Sequence, residues 1–180
     1  MPSSSTTLLL VDGYNVIGAW PPLNKLARRS LMELARLRLV ESLANYVAFR
    51  GYQATVVYDS YAQPTPAHQE RSPSGIDILY TPYGETADTC IERLCAQLQW
   101  DECRVRVATS DRVQQLVIGG YDAEWVSAEQ LWEEVQQAQQ QIRRIKPKRS
   151  PSKRGIDSYL DAETLARLNR WRLSGQAPTD

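Results

Sequence analysis

An α/β fold, with a parallel sheet of about five strands and helices on both faces, is predicted by three features of this 180-residue sequence. Strand-like and helix-like patterns alternate along the chain, as they do where helical crossovers join parallel strands. The stretch Leu8-Leu9-Leu10-Val11-Asp12-Gly13-Tyr14-Asn15-Val16-Ile17 runs apolar, breaks on a carboxylate, and turns apolar again. A strand apolar on both faces suits the buried middle of a parallel sheet. Two later stretches repeat the device: Thr55-Val56-Val57-Tyr58-Asp59 and Val105-Arg106-Val107-Ala108-Thr109-Ser110-Asp111. Right-handed crossovers put the carboxyl ends of parallel strands on one rim, where ligands of open α/β sheets bind. The acids at those ends should meet there.

In order, the first strand covers about 7–12 and leads to a proline-containing loop, Trp20-Pro21-Pro22-Leu23. Leu31, Leu34, Ala35, Leu39 and Leu43 recur at helical spacing, which predicts a helix over about 30–50 that stops at Gly51. The second strand is about 53–58. A polar loop, 60–75, contains Pro64, Pro66, Pro73 and Gly75, and a third strand follows at 76–81. Helices are predicted over about 86–99, 111–118 and 128–145, with strands at about 104–109 and 123–126 between them. The proposed boundaries are an α/β domain of residues 1–145 and a second segment, 146–180. That segment holds a basic linker, 146–155, and a last helix over about 161–173, capped by Asp161 and striped by Leu165, Leu168 and Trp171.

The bulk composition is that of a globular protein, 42% hydrophobic and 23% charged. A chain of this size buries roughly 70% of its unfolded surface and needs no covalent staples. Three cysteines without CxxC spacing (Cys90, Cys95, Cys103) read as reduced thiols. No apolar run approaches the roughly 20 residues of a membrane helix, and no basic-then-apolar leader opens the chain, so a cytoplasmic protein without a membrane partner is expected. Net charge is zero but unevenly spread. Residues 1–127 carry 11 basic and 14 acidic side chains; residues 128–180 carry 10 and 7. Residues 135–156 contain seven Lys or Arg and no acid, a distribution suited to an acidic partner held from one side.

Asp12 leads the candidate site, because a charge closing an apolar strand must be solvated, paired or bound to a cation. Asp111 opens a helix, where it can serve as N-cap and still face a ligand. Arg112 beside it could hold a phosphate. Glu85, Asp88 and Glu92 fall at i, i+3 and i+7, on one face near a helix start, where simple charge–dipole placement is the alternative explanation. Asp59 is either a further ligand or a residue that starts a loop. Hard oxygen donors, with one histidine (His68) and no thiolate cluster, point to Mg²⁺ or Mn²⁺ rather than zinc. There is no GxxxxGK[ST] and no GxGxxG, so no nucleotide cofactor is expected. Tyr14 stands where a haloacid-dehalogenase-type phosphatase would carry its second Asp, and the adjacent acids and late lysine of a receiver domain are missing.

The motifs Val11-Asp12-Gly13-Tyr14-Asn15-Val16-Ile17, Tyr58-Asp59, Gly84-Glu85-Thr86-Ala87-Asp88 and Ala108-Thr109-Ser110-Asp111-Arg112 stand in the order found in a known family. Over residues 8–130 the chain resembles the YacP-like branch of the NYN nucleases, relatives of the PIN domain. The resemblance implies a PIN-like sheet and a metal-dependent endoribonuclease acting on mRNA in association with ribosomes. It also implies that Asp12, Asp88 and Asp111 are metal-binding acids, that Asn15 orients a ligand or substrate, and that Glu85 is an accessory acid. The basic run Arg143, Arg144, Lys146, Lys148, Arg149, Lys153 and Arg154 would contact RNA backbone or ribosomal RNA. The rival expectations are a non-catalytic RNA- or ribosome-binding module and a small-molecule phosphohydrolase.

Overall fold

The computed structural model describes residues 6–60, 66–99 and 103–145, and of Arg112 the backbone. The elements run β1 (Thr7–Asp12), α1 (Gly13–Ala19), α2 (Pro21–Ala27), α3 (Met32–Arg50), β2 (Tyr52–Tyr58), β3 (His68–Arg71), β4 (Asp77–Tyr80), α4 (Ala87–Leu98), β5 (Arg104–Ala108), α5 (Arg112–Gly119), β6 (Glu124–Val126) and α6 (Ala128–Ile145). The sheet order is β3-β4-β2-β1-β5-β6. β1 lies between β2 and β5, parallel to both; β4 and β6 extend the parallel sheet, and β3 closes one edge antiparallel to β4.

Alternation along β1 feeds two cores, since successive side chains of a strand point to opposite faces. Leu9 and Val11 join a large cluster with Tyr58 of β2, Trp20 at the α1–α2 junction, Leu39, Leu43 and Tyr46 of α3, and Leu131 of α6. Leu10 joins Ile91, Cys95, Val107 and Ile118 on the α4 and α5 side. Helix α3 ends at Gly51, which adopts φ 71° as the left-handed C-terminal residue. Gly13 is required for a different reason. A Cβ there would come within 2.3 Å of Cε1 of the Tyr58 ring, so only glycine lets that ring pack beneath the start of α1.

The sheet has six strands rather than about five. The addition is β3, inside the polar segment 60–75, and every one of its residues is exposed. With no buried face it has no alternation for a sequence pattern to reveal. The segment read as a loop at Trp20–Leu23 is also more regular than expected. The chain turns helical directly after Asp12, and Pro21 and Pro22 open α2 from its first turn, where a missing N–H breaks no bond. Trp20, at the α1–α2 junction, donates its indole N–H to the Ala128 carbonyl at 2.8 Å and so ties this corner to α6. The predicted linker, C-terminal helix and Asp161 cap lie outside the described residues. Among the described residues no helix is long and apolar enough to cross a membrane.

Candidate active site

Asp12 is the last residue of β1 and the N-cap of α1, and it is 8% exposed. Its Oδ1 accepts the Asn15 backbone N–H at 3.1 Å. Burial pushes its carboxyl up to about 6; the Asn15 N–H opposes the shift, and the charges of Asp88, Asp59 and Asp111 add to it. Charged carboxylates disfavour one another at close range, so this pattern marks convergence on one rim.

The other acids arrive from the two helices on one side of the sheet. Helix α4 starts after Thr86, whose Oγ1 accepts the Thr89 N–H at 3.2 Å, and this places Asp88 in its first turn. The half-buried Asp88 carboxyl is raised by burial and then by Asp111 and Asp59. It accepts a hydrogen bond from Nε2 of Gln114, which opposes that rise. Asp111 caps α5, its Oδ1 accepting the Val113 N–H at 2.8 Å while its own N–H donates to Thr109 Oγ1 at 3.1 Å. A cavity of about 160 Å³ between α4 and α5 has Asp88, Asp111, Gln114, Ile91 and Val117 among its walls.

Asn15 has a framework role. Its Oδ1 accepts the Ser110 N–H at 2.7 Å and so fastens the end of β1 to the end of β5. Asp59, half-buried at the end of β2, contributes charge to both Asp12 and Asp88. Glu85 turns elsewhere, whereas Glu92 stays on the wall of the α4–α5 cavity with Asp88 and Asp111. Glu85 precedes the helix that Thr86 caps and accepts from Arg93 at 3.0 and 3.2 Å, while Glu92 accepts from the Tyr121 hydroxyl at 3.1 Å.

The residue that sequence reasoning missed is Gln114, 7% exposed and holding Asp88. Its signal was available: Asp111-x-x-Gln114 has capping-box spacing, but the carboxamide turns inward to an acid instead of back to the helix start.

Two of the expected RNA contacts lie away from this rim. Arg143 and Arg144 are exposed in the last turn of α6. That helix begins beside Ser110, whose Oγ accepts the Ala128 N–H at 3.3 Å, and its rise carries Arg143 about 22 Å along the axis. Lys146, Lys148, Arg149, Lys153 and Arg154 lie outside the described residues, as does the Arg112 side chain.

The donor chemistry suits a hard divalent cation. Carboxylate oxygens dominate the rim, His68 belongs to the outer edge of the sheet, and burial pushes the Cys90 thiol up and the Cys95 thiol up to about 11. Asp12, Asp88 and Asp111 each commit Oδ1 to a described hydrogen bond. Among the described residues no three His, Cys, Asp or Glu side chains are gathered closely enough to enclose an ion. The fit is therefore one of charge and donor type.

The family model for the YacP-like NYN domain matches residues 9–173. The chain belongs to that family. A protein from Bacillus subtilis strain 168 described as uncharacterized protein YacP is 34% identical over 165 residues, which cover 92% of this chain and 96% of that protein. The crystal structure of Rae1 (YacP) from Bacillus subtilis matches with a TM-score of 0.68 at 34% identity, covering 96% of this chain and 100% of that one. A second crystal structure of Rae1, of a mutant with one tryptophan replaced by leucine, matches with a TM-score of 0.66 at 35% identity, over 77% and 80% of the two chains. Membership of the YacP-like family, with its PIN-like nuclease domain, supports a nuclease function.

Proposed function

We propose that this chain is an Mg²⁺- or Mn²⁺-dependent endoribonuclease that hydrolyses single-stranded RNA, with mRNA on ribosomes as its substrate. The observation that carries the reading is the placement of Asp12 at the end of β1, Asp88 in the first turn of α4 and Asp111 at the start of α5, within electrostatic reach of Asp12, in an NYN-family sheet. When bound there, Mg²⁺ or Mn²⁺ supplies neutralisation of phosphate charge and Lewis-acid activation of water. The chain's own residues prepare the place. Gln114 fixes Asp88, the Val113 N–H fixes Asp111, the Asn15 N–H fixes Asp12, and the Asn15 side chain holds the two strand ends together. Asp12 is the least solvated of the three, so its charge gains most from a cation. In-line attack of water on the phosphodiester would leave a 5′-phosphate and a 3′-hydroxyl. The basic run of residues 143–154 would grip RNA backbone, with an affinity that falls steeply as salt rises.

The test is cleavage of end-labelled, unstructured mRNA by the full chain with Mn²⁺, with EDTA, and with Asp12→Asn/Asp88→Asn. The expected result is internal cleavage with Mn²⁺, none with EDTA, and a loss on the order of 100- to 1,000-fold in the variant, the range seen when a group that stabilises transition-state charge is removed. Equal cleavage by variant and wild type would overturn the reading. RNA binding without cleavage by either would favour a binding module, and turnover of a nucleotide monoester alone a phosphohydrolase.

A further inference from the structure

On the α3 side of the rim an aromatic column leads away from the acids. Asp12 pairs in register with Val57, and Val57 with Leu79; the next row, one residue closer to the carboxyl end, is Tyr58–Tyr80–His68. Tyr58 and Tyr80 have ring centroids 5.5 Å apart at 25°, and Tyr80 and His68 6.1 Å apart at 26°. Exposure grows outward along the row. Tyr58 is fully buried against Gly13, Tyr80 is half-buried, and the His68 side chain is 65% exposed. The guanidinium of Arg36, from α3, lies 6.0, 5.6 and 5.9 Å from the ring centroids of Tyr14, Tyr58 and Tyr80.

Two features decide what such a surface can take. Arg36 donates to Glu33, and Glu70 faces both neighbours, 3.9 Å from His68 Nε2 and 3.4 Å from the Tyr80 hydroxyl. A phosphate would meet those carboxylates, whereas the flat face of a base would not. Aromatic rings braced by an arginine are what unpaired bases stack on.

We propose that Tyr80 and His68, braced by Tyr58 and Arg36, form a stacking platform for an unpaired nucleobase of the RNA that crosses the acidic rim. The platform rests on the nuclease reading and assigns one flanking nucleotide to the β2–β4–β3 edge. It takes a base rather than a backbone phosphate.

The experiment places 2-aminopurine at successive positions of a short single-stranded RNA and titrates full-length protein carrying Asp12→Asn, with and without His68→Ala or Tyr80→Leu. One position is expected to lose fluorescence on binding. Both further variants should abolish that quenching and weaken affinity between about 5- and 100-fold, the range for losing one base stack. The slope of log affinity against log salt should stay the same, because no phosphate contact is removed. His68→Ala guards against misfolding, since its side chain is exposed on an edge strand. Unchanged quenching and affinity, or a flattened salt slope, would overturn the platform. Cleavage by the wild-type chain with equal binding by the variants defeats the platform alone; a wild-type chain that neither binds nor cleaves RNA defeats the nuclease reading too.

Discussion

Two charged side chains are buried in this sheet, and their surroundings are opposite. Arg106, on β5, is 6% exposed and bonded on both terminal nitrogens. Nη1 donates to Tyr46 at 3.2 Å and to Glu134 at 3.1 Å; Nη2 donates to Glu124 at 3.0 Å and to Glu134 at 3.2 Å. Burial works against its charge, but the bonds to Glu134 and Glu124 outweigh burial and hold the guanidinium more firmly protonated than usual. Asp12, on the neighbouring strand, is nearly as buried and is surrounded by acids of its own sign. One charge is compensated from within and ties α3 and α6 to the sheet. The other is offset at the rim by one backbone N–H, from Asn15, and faces carboxylates of its own sign. Burial alone therefore does not mark the functional charge; the sign of its neighbours does.

The largest test of this contrast is Arg106→Met. Breaking a buried ion pair from one side leaves Glu134 stranded and should cost about 3–5 kcal/mol, read as a fall in the urea midpoint. Adding Glu134→Leu should recover much of that loss, since a buried pair can be replaced by apolar packing. If Arg106→Met proves neutral, the network is not the compensated charge described here.

Asp12→Asn should have the opposite sign. The folded carboxyl sits at about 6 against an ordinary 3.8, so between those values the native chain binds protons that the unfolded chain has released. Stability from this group is present below pH 4 and is lost as pH rises through 6. The variant, which keeps a good N-cap residue, should be more stable than wild type by up to about 3 kcal/mol at pH 8 in EDTA. The difference should vanish by pH 4, and thermal melts at both pH values measure it. A variant less stable at pH 8 would mean that burial and the neighbouring acids do not disfavour the Asp12 charge.

The smallest expected effect is that of Gly13→Ala. A methyl group aimed at the Tyr58 ring must displace it or tilt α1, at about 1–3 kcal/mol. Since Tyr58 also braces Tyr80, quenching of the 2-aminopurine RNA should weaken in this variant. Normal stability would show that the ring moves aside freely.

Much of this arrangement was legible in the sequence, for reasons that differ by residue. Asp12, Asp88 and Asp111 stand out because each breaks a local pattern: an apolar strand, an apolar helix start, a strand end. The parallel strands were legible because burial on two faces forces continuous apolar runs. β3 was not, because a wholly exposed ribbon of His, Gln, Glu and Arg carries no hydrophobic period. The i, i+3, i+7 spacing grouped Glu85 and Glu92 with Asp88. Spacing could not reveal that Thr86 would start the helix after Glu85 or that Arg93 would draw that acid off, while Glu92, bonded to Tyr121, stays on the cavity wall beside Asp88. The Tyr58–Tyr80–His68 row depends on strand register, which arises only once β3 folds back on β4.

That fold-back also bears on how the molecule behaves in a crowd. A parallel sheet ending on β4 would offer a row of open backbone amides and carbonyls to any passing extended chain. Instead its outermost ribbon is four residues long and bears His68, Glu70 and Arg71, and the opposite margin, β6, has three residues. Short, charged margins are poor templates for recruiting further strands. Both margins of the sheet are thereby poor seats for a second copy of the chain.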